Sequence, residues 1–266
     1  MIYILTAVSV LYWTIRTYGQ LWWSVAWGFL ASWIVARTYL ESVITVPYLF
    51  RPARPPPQQL RGTLTALAAR EGIKAPGVRL ITSRKSVPKA IVSSSGMGNT
   101  KRIFVNDHFL AHYTSDEIEA VLSHELGHQV HKDTAFRILL TLGISAAGLF
   151  LANSFVQAAS GLFGIPDLSN ISTLPLFVIF FLIFWTLADV LRNSAARRQE
   201  RRADSYASSA TGNPRALSTA LLKMNNEWLG DARAHRLVEI FFYTHPSTLG
   251  RVKGLLGYDP SVLSSA

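Results

Sequence analysis

Four apolar runs, separated by segments that carry nearly all the basic charge, constrain this chain more than any other feature. They cover residues 2–15, 21–36, 138–159 and 174–191. The third has the length of a membrane span, which needs roughly 20 apolar residues. The first two are shorter and read as a hairpin of two short spans, with Trp13, Trp22, Trp23, Trp27 and Trp33 suited to interfacial depth. One span followed by an interfacial helix is the alternative those lengths leave open. The first run also has the length of a signal-peptide core, but lacks a basic start and a small-residue cleavage site ahead of the second run. Residues 51–137 and 192–266 hold 24 of the 26 Lys and Arg, while the predicted outer loops hold only Arg16. By the positive-inside rule both basic segments face the cytosol and both hairpins dip out and back. The predicted organisation is a transmembrane hairpin at 1–50, a polar segment at 51–137, a second transmembrane hairpin at 138–191 and a second polar segment at 192–266.

Composition agrees with this plan. The chain is 49% hydrophobic and only 16% charged, too apolar for an ordinary water-soluble domain. A net charge of +10 would suit a nucleic-acid surface, but no binding motif accompanies it. Topology accounts for the charge, with contact to anionic lipid as a further use, so no nucleic-acid partner is expected. There is no cysteine, so any metal must be held by histidines and carboxylates.

The first polar segment opens on a stiff basic stretch, Arg-Pro-Ala-Arg-Pro-Pro-Pro at 51–57. Residues 59–71 read as an amphipathic helix stopped by Gly72. Strands are expected at 78–81, 90–93 and 102–105, the last two forming a β-hairpin around a Gly-Met-Gly-Asn turn. Thr114 and Glu117 have capping-box spacing, and Ile118, Val121, Leu122 and Leu126 follow at helical period. On that helix lies His124-Glu125-Leu126-Gly127-His128, an H-E-x-x-H motif. Helical spacing puts both imidazoles on one face, where they can share a metal ion, with the Glu125 carboxylate beside them. The plain alternative is a histidine pair that caps or packs.

A hydrolytic zinc site needs a third protein ligand and an open position. Glu200 and Asp204, an E-x-x-x-D pair just after the fourth run, offer a ligand and a carboxylate to orient an imidazole, His124 being the expected partner. Alone, the pair would read as solvated partners for the surrounding arginines. It gains weight because both motifs abut runs of the same hairpin, on the same predicted membrane face. Asp133 is expected to pair with Arg137 or to order the end of the motif helix. His131, off the ligand face, and His108, His112 and His235, without ligand spacing, read as surface or packing residues.

The order of features is a membrane hairpin, a β-hairpin, His-Glu-Leu-Gly-His, a second membrane hairpin, Glu-x-x-x-Asp, then Thr-His-Pro-Ser at 244–247. It resembles the HtpX-type membrane zinc metalloproteases, relatives of the type I CAAX prenyl endopeptidases, over nearly the whole chain. The matching residues are His124, Glu125, His128, Asp133, Glu200, Asp204 and His245-Pro246. The resemblance implies a mainly α membrane protein of about four transmembrane helices, with a cytosolic α+β domain of gluzincin type. It also implies one catalytic zinc per chain and cleavage of membrane or misfolded proteins in quality control. Lys89-Ala90-Ile91-Val92 stands where relatives carry an Asn-Ala-aromatic stretch, which leaves the detail of substrate-strand binding open. The prenyl endopeptidases carry more spans, which favours the HtpX branch over CAAX-type processing.

On this reading zinc is held by His124, His128 and Glu200, and Glu125 is the general base. His245 is the candidate donor to the tetrahedral oxyanion, with Arg251 and Tyr243 behind it. An extended substrate adds as a strand to the edge that includes Ala90, Ile91, Val92 and Ser93. The rival class is a non-catalytic membrane scaffold with a residual zinc site. A structural site normally has four protein ligands, and no fourth is evident. A transporter is disfavoured because Asp189 is the only acidic residue within the four apolar runs of the hairpins, too little for an ion path.

Overall fold

Apolar runs become helices because a helix satisfies its own backbone polar groups. A computed structural model describes residues 2–45, 53–55, 57–81, 89–96 and 100–257. The described chain is mainly helical with one small mixed sheet. It divides into two compact units, 1–37 with 137–192, and 38–136 with 193–266.

In the first unit, α1 (Ile2–Tyr18) and α2 (Trp22–Leu40) are joined by a single tight turn, Gly19–Leu21. Gly19 has φ +53, a left-handed conformation that a side chain would disfavour. Tyr12, Ile15 and Trp22 pack with Ala152, Val156 and Phe177 from two longer helices. Two long-range polar pairs lie inside this unit. Trp22 Nε1 donates to Asn153 Oδ1 at 2.7 Å, and the Tyr12 and Thr173 hydroxyls meet at 2.7 Å. Outward-facing residues are apolar: Phe29, Trp33, Leu139, Leu182, Ile183 and Leu187 are each more than half exposed. Two helical stretches, Asp133–Leu162 and Ile171–Thr211, are long and apolar enough to cross a membrane. The N-terminal pair, of 17 and 19 residues, is not among them.

In the second unit the strands run β1 (Ala53–Arg54), β2 (Gly77–Ile81), β3 (Val92–Ser95) and β4 (Arg102–Asn106), in the sheet order β1-β2-β4-β3. β2 and β4 are parallel, and the β1–β2 and β3–β4 pairs are antiparallel. The β3–β4 pair is the expected hairpin; part of its turn, 97–99, lies outside the described residues. The two-residue β1 lies in the stretch read from sequence as a stiff proline-rich linker. Helix α3 (Gln58–Arg70) covers the sheet with Leu60 and Leu64 and ends at Gly72, φ +62.

One expectation needs correcting. Ala90 and Ile91 are not part of the edge strand, which starts two residues later at Val92. The Ile91 carbonyl still accepts from Asn106 N–H of β4 at 3.1 Å, but the other backbone groups of the pair are engaged by side chains. Ala90 N–H donates to Glu227 Oε2 at 2.6 Å, and Ala90 C=O accepts from Trp228 Nε1 at 3.1 Å. Ile91 N–H donates to Asn106 Oδ1 at 3.0 Å. The open edge of the sheet is therefore 92–95.

After β4 come α4 (Asp107–His112), α5 (Ser115–Val130), α6 (Asp133–Leu162), α7 (Leu174–Thr211), α8 (Pro214–Glu227), α9 (Arg236–Phe242) and α10 (Thr248–Leu256). The core of this unit joins Val78, Ile103, Val105 and Phe109 to Val121 and Leu122 of α5 and Leu217 of α8.

Candidate metal centre

Helix α5 starts where its sequence says it should. Thr114 Oγ1 accepts from Glu117 N–H at 3.3 Å, and Glu117 Oε2 accepts from Thr114 N–H at 2.8 Å. Glu117 is buried, and Lys223 of α8 neutralises it at 2.7 Å. Val121, Leu122 and Leu126 anchor one side of α5 in the interior. His124 and His128 then share another side, and Gly127 lies against α7. A Cβ on Gly127 would come to 3.0 Å from Tyr206 Cδ1 and 3.1 Å from Ala203 Cα. That close approach sets Glu200 and Asp204 of α7 beside the two imidazoles.

The Nε2 atoms of His124 and His128 face each other at 3.2 Å. Glu200 completes the group, with Oε2 3.5 Å from His124 Nε2 and Oε1 3.4 Å from His128 Nε2. One ligand atom from each of the three residues fits within 4.8 Å. Each imidazole has its other nitrogen on a buried carboxylate. His124 Nδ1 lies 2.9 Å from Asp204 Oδ1, and His128 Nδ1 lies 2.8 Å from Asp133 Oδ2. A carboxylate at Nδ1 holds the ring proton there and leaves the Nε2 lone pair free for a metal. Two such lone pairs facing each other, beside a buried Glu200 oxygen that makes no hydrogen bond and has Arg251 Nη1 at 3.5 Å, form a pocket suited to a cation. The donor set fits zinc, which takes imidazole nitrogen and carboxylate oxygen.

The electrostatics agree. Burial alone would raise the Glu200 carboxyl, but the two imidazoles and then Arg251 hold it well below the usual carboxylate range. Burial opposes a charged ring at His128, yet Asp133 and Glu200 lift it to about 9. His124 is raised against burial by Asp204 and Glu200. The pocket demands positive charge, which protons supply when no metal does.

Sequence reasoning placed Asp204 next to His124, and the two are in contact. It missed what holds Asp204: Arg251 of α10 grips it with two bonds, Nε to Oδ2 at 2.8 Å and Nη2 to Oδ1 at 2.6 Å. Asp133 is fully buried and does not pair with Arg137. It accepts from His128 and, at 2.7 Å, from Arg202. Lys132, φ 54, makes the left-handed turn between α5 and α6 that leads into Asp133. No local pattern announces these pairings; an acidic residue within a turn of the motif was the available signal for Asp133. Glu125 is half-buried and makes no hydrogen bond or ion pair with the described residues. His245 Nε2 lies 3.4 Å from Glu200 Oε1, with the ring 62% exposed and Nδ1 2.9 Å from the Thr244 hydroxyl. The Tyr243 carbonyl accepts from Arg197 at 2.8 Å. The other histidines lie outside the cluster. His131 bonds the Gly127 carbonyl, His108 pairs with Glu227, His112 bonds the His108 carbonyl and His235 caps α9.

The sequence profile of peptidase family M48 matches residues 56–259. The chain belongs to peptidase family M48. Relatives of this M48 chain include the Bacillus subtilis metalloprotease YhfN, 25% identical over 252 residues, covering 92% of this chain and 59% of that protein. Protease HtpX of Legionella pneumophila is 28% identical over 203 residues, 74% of this chain and 70% of HtpX. The crystal structure of S. mikatae Ste24p shares the fold, with TM-score 0.75 at 20% identity over 94% of this chain and 63% of Ste24p. The M48 chain thus spans about three fifths of the length of YhfN and Ste24p.

Proposed function

We propose that this M48 chain is a multi-pass membrane zinc endopeptidase whose catalytic unit faces the cytosol and cuts membrane or misfolded proteins in quality control. The observation that carries the reading is the pair of facing Nε2 atoms, 3.2 Å apart, with Glu200 against both and each Nδ1 tied to a carboxylate. His124, His128 and Glu200 hold one zinc per chain. Zinc, when bound there, lowers the pKa of a water towards about 7 and polarises the scissile carbonyl.

The chain supplies the remaining chemistry. Glu125, with no partner among the described residues, takes the proton of the attacking water and passes it to the leaving amine. His245 Nδ1 lies 2.9 Å from the Thr244 hydroxyl; in the tautomer that accepts from that hydroxyl the ring proton is on Nε2, available to a developing oxyanion. Arg251 grips Asp204 with two bonds and lies 3.5 Å from Glu200 Oε2, so it braces both carboxylates. The substrate adds as a strand along β3, 92–95, which is an edge strand among the described residues.

Membrane insertion is supported by the two long apolar helices and the apolar exterior of the first unit. Cytosolic orientation rests on the distribution of Lys and Arg. The test is cleavage of casein by the purified full chain with zinc, with Glu125→Gln alongside. Activity that survives this substitution, or that is indifferent to chelator, would sink the reading. A prenylated peptide in the same assay separates CAAX-type processing from general proteolysis.

A further inference from the structure

Just beyond the apolar part of α7 lies a cavity of about 560 Å³ lined by Phe136, Ala195, Arg198, Gln199, Arg201 and Arg202. We propose that it binds the headgroup of an anionic phospholipid. Ala195, Arg198, Gln199 and Arg202 fall at i, i+3, i+4 and i+7 and share one face of α7. Arg198 and Arg201 are exposed and make no hydrogen bond or ion pair with the described residues. Arg202 is half exposed, and its Nη2 is fixed on Asp133 Oδ1 at 2.7 Å. Its remaining N–H donors are thereby presented in a set orientation, and a guanidinium binds phosphate with paired donors. No acidic side chain lines the cavity. Its wall includes Phe136, 48% exposed, and Ala195, which suit a glycerol backbone and the start of an acyl chain rather than a free anion.

Location selects the lipid. The apolar run of α7 ends near Leu191, and Arg198 lies seven residues on, roughly 10 Å along the axis at about 1.5 Å per residue. The polar layer of a leaflet is about 5–8 Å thick, so long arginine side chains there reach it. A basic segment abutting a span is drawn to anionic lipid at about 1 kcal/mol per Lys or Arg. The inference rests on the reading of α6 and α7 as membrane spans, and needs no protease activity.

The test uses the full chain in neutral detergent micelles. Pyrene-labelled phosphatidylglycerol or phosphatidylcholine is titrated in, and binding is read as energy transfer from tryptophan. The expected result is saturable transfer with phosphatidylglycerol and at least tenfold weaker transfer with phosphatidylcholine. Arg198→Gln with Arg201→Gln should weaken phosphatidylglycerol binding roughly thirty-fold. Arg233→Gln with Arg236→Gln removes equal charge elsewhere and should change it less than about twofold. Equal weakening by both pairs, or none by the first, overturns the site. Displacement by millimolar inorganic phosphate overturns the lipid assignment in favour of a soluble anion. Two controls separate the possible failures. Flotation of every variant with phosphatidylcholine vesicles tests the membrane reading alone, and unchanged melting temperatures show that the variants are folded.

Discussion

The two flanks of the metal centre are built alike and set in different surroundings. On one, His124 leans on Asp204, and Asp204 is gripped twice by Arg251, whose side chain is 10% exposed. On the other, His128 leans on Asp133, and Asp133 meets Arg202, whose side chain is 50% exposed. Both carboxylates are buried, so both need neutralising. The difference lies in the counter-charge. Arg251 is itself out of water and must be matched in geometry, with two teeth on one carboxylate. Arg202 stays half solvated, makes a single bond and can answer to something else as well. The comparison teaches that one chemical task, holding an imidazole by its Nδ1, can be met by an interior brace or by one open to its environment.

The strongest test removes the group that both flanks serve. Glu200→Ala should abolish metal binding and activity, whereas Glu125→Gln should abolish activity alone. Metal analysis showing one zinc per chain in Glu200→Ala would take Glu200 out of the centre. Next in size is the contrast between arginines. Arg251→Met leaves Asp204 as an uncompensated buried charge and should cost about 3–5 kcal/mol of stability. Arg202→Met also uncovers a buried carboxylate, but removes a single bond from a half-solvated partner, and should cost less, about 1–3 kcal/mol. Equal shifts in denaturation midpoint would erase the distinction between the flanks. Asp204→Asn and Asp133→Asn should each lower zinc affinity or activity about 10–100-fold, recoverable in excess zinc. A response from only one of them would show that the two supports are not equivalent in function. The smallest effect is expected at Lys132. Glycine there relieves a left-handed lysine but loosens the unfolded chain, so Lys132→Gly should change stability by less than about 1 kcal/mol and leave turnover unaltered. A large loss of turnover would mean that the lysine side chain itself has a role in the centre.

What the sequence made legible was whatever has a short period. The capping box at Thr114 and Glu117 and the stop at Gly72 are local chemistry, and the chain obeys them. His124 and His128 were readable because one-turn spacing fixes which side chains share a helix face, and Glu200, on another helix, was read from its place beside the same hairpin. The rest depends on partners far apart in the chain. Arg251 is 47 residues from Asp204, and Arg202 is 69 from Asp133. The edge strand began two residues late because Glu227, 137 residues away, takes the Ala90 amide. Alternation in residues 90–93 carries no trace of that. The two-residue β1 has too little sequence to show a period at all.

Gly127 bears on anyone who would copy this site into another scaffold. It has no side chain to donate, ligate or carry charge, so a blueprint that specified only the three donors and their orienting carboxylates would omit it. Yet a single methyl at 127 would meet the backbone of α7 at 3.1 Å and force a displacement of a few tenths of an ångström. Working constellations tolerate about 0.5 Å. A transplant that kept every donor atom but allowed any other residue at 127 would spend most of its positional tolerance before the metal was added.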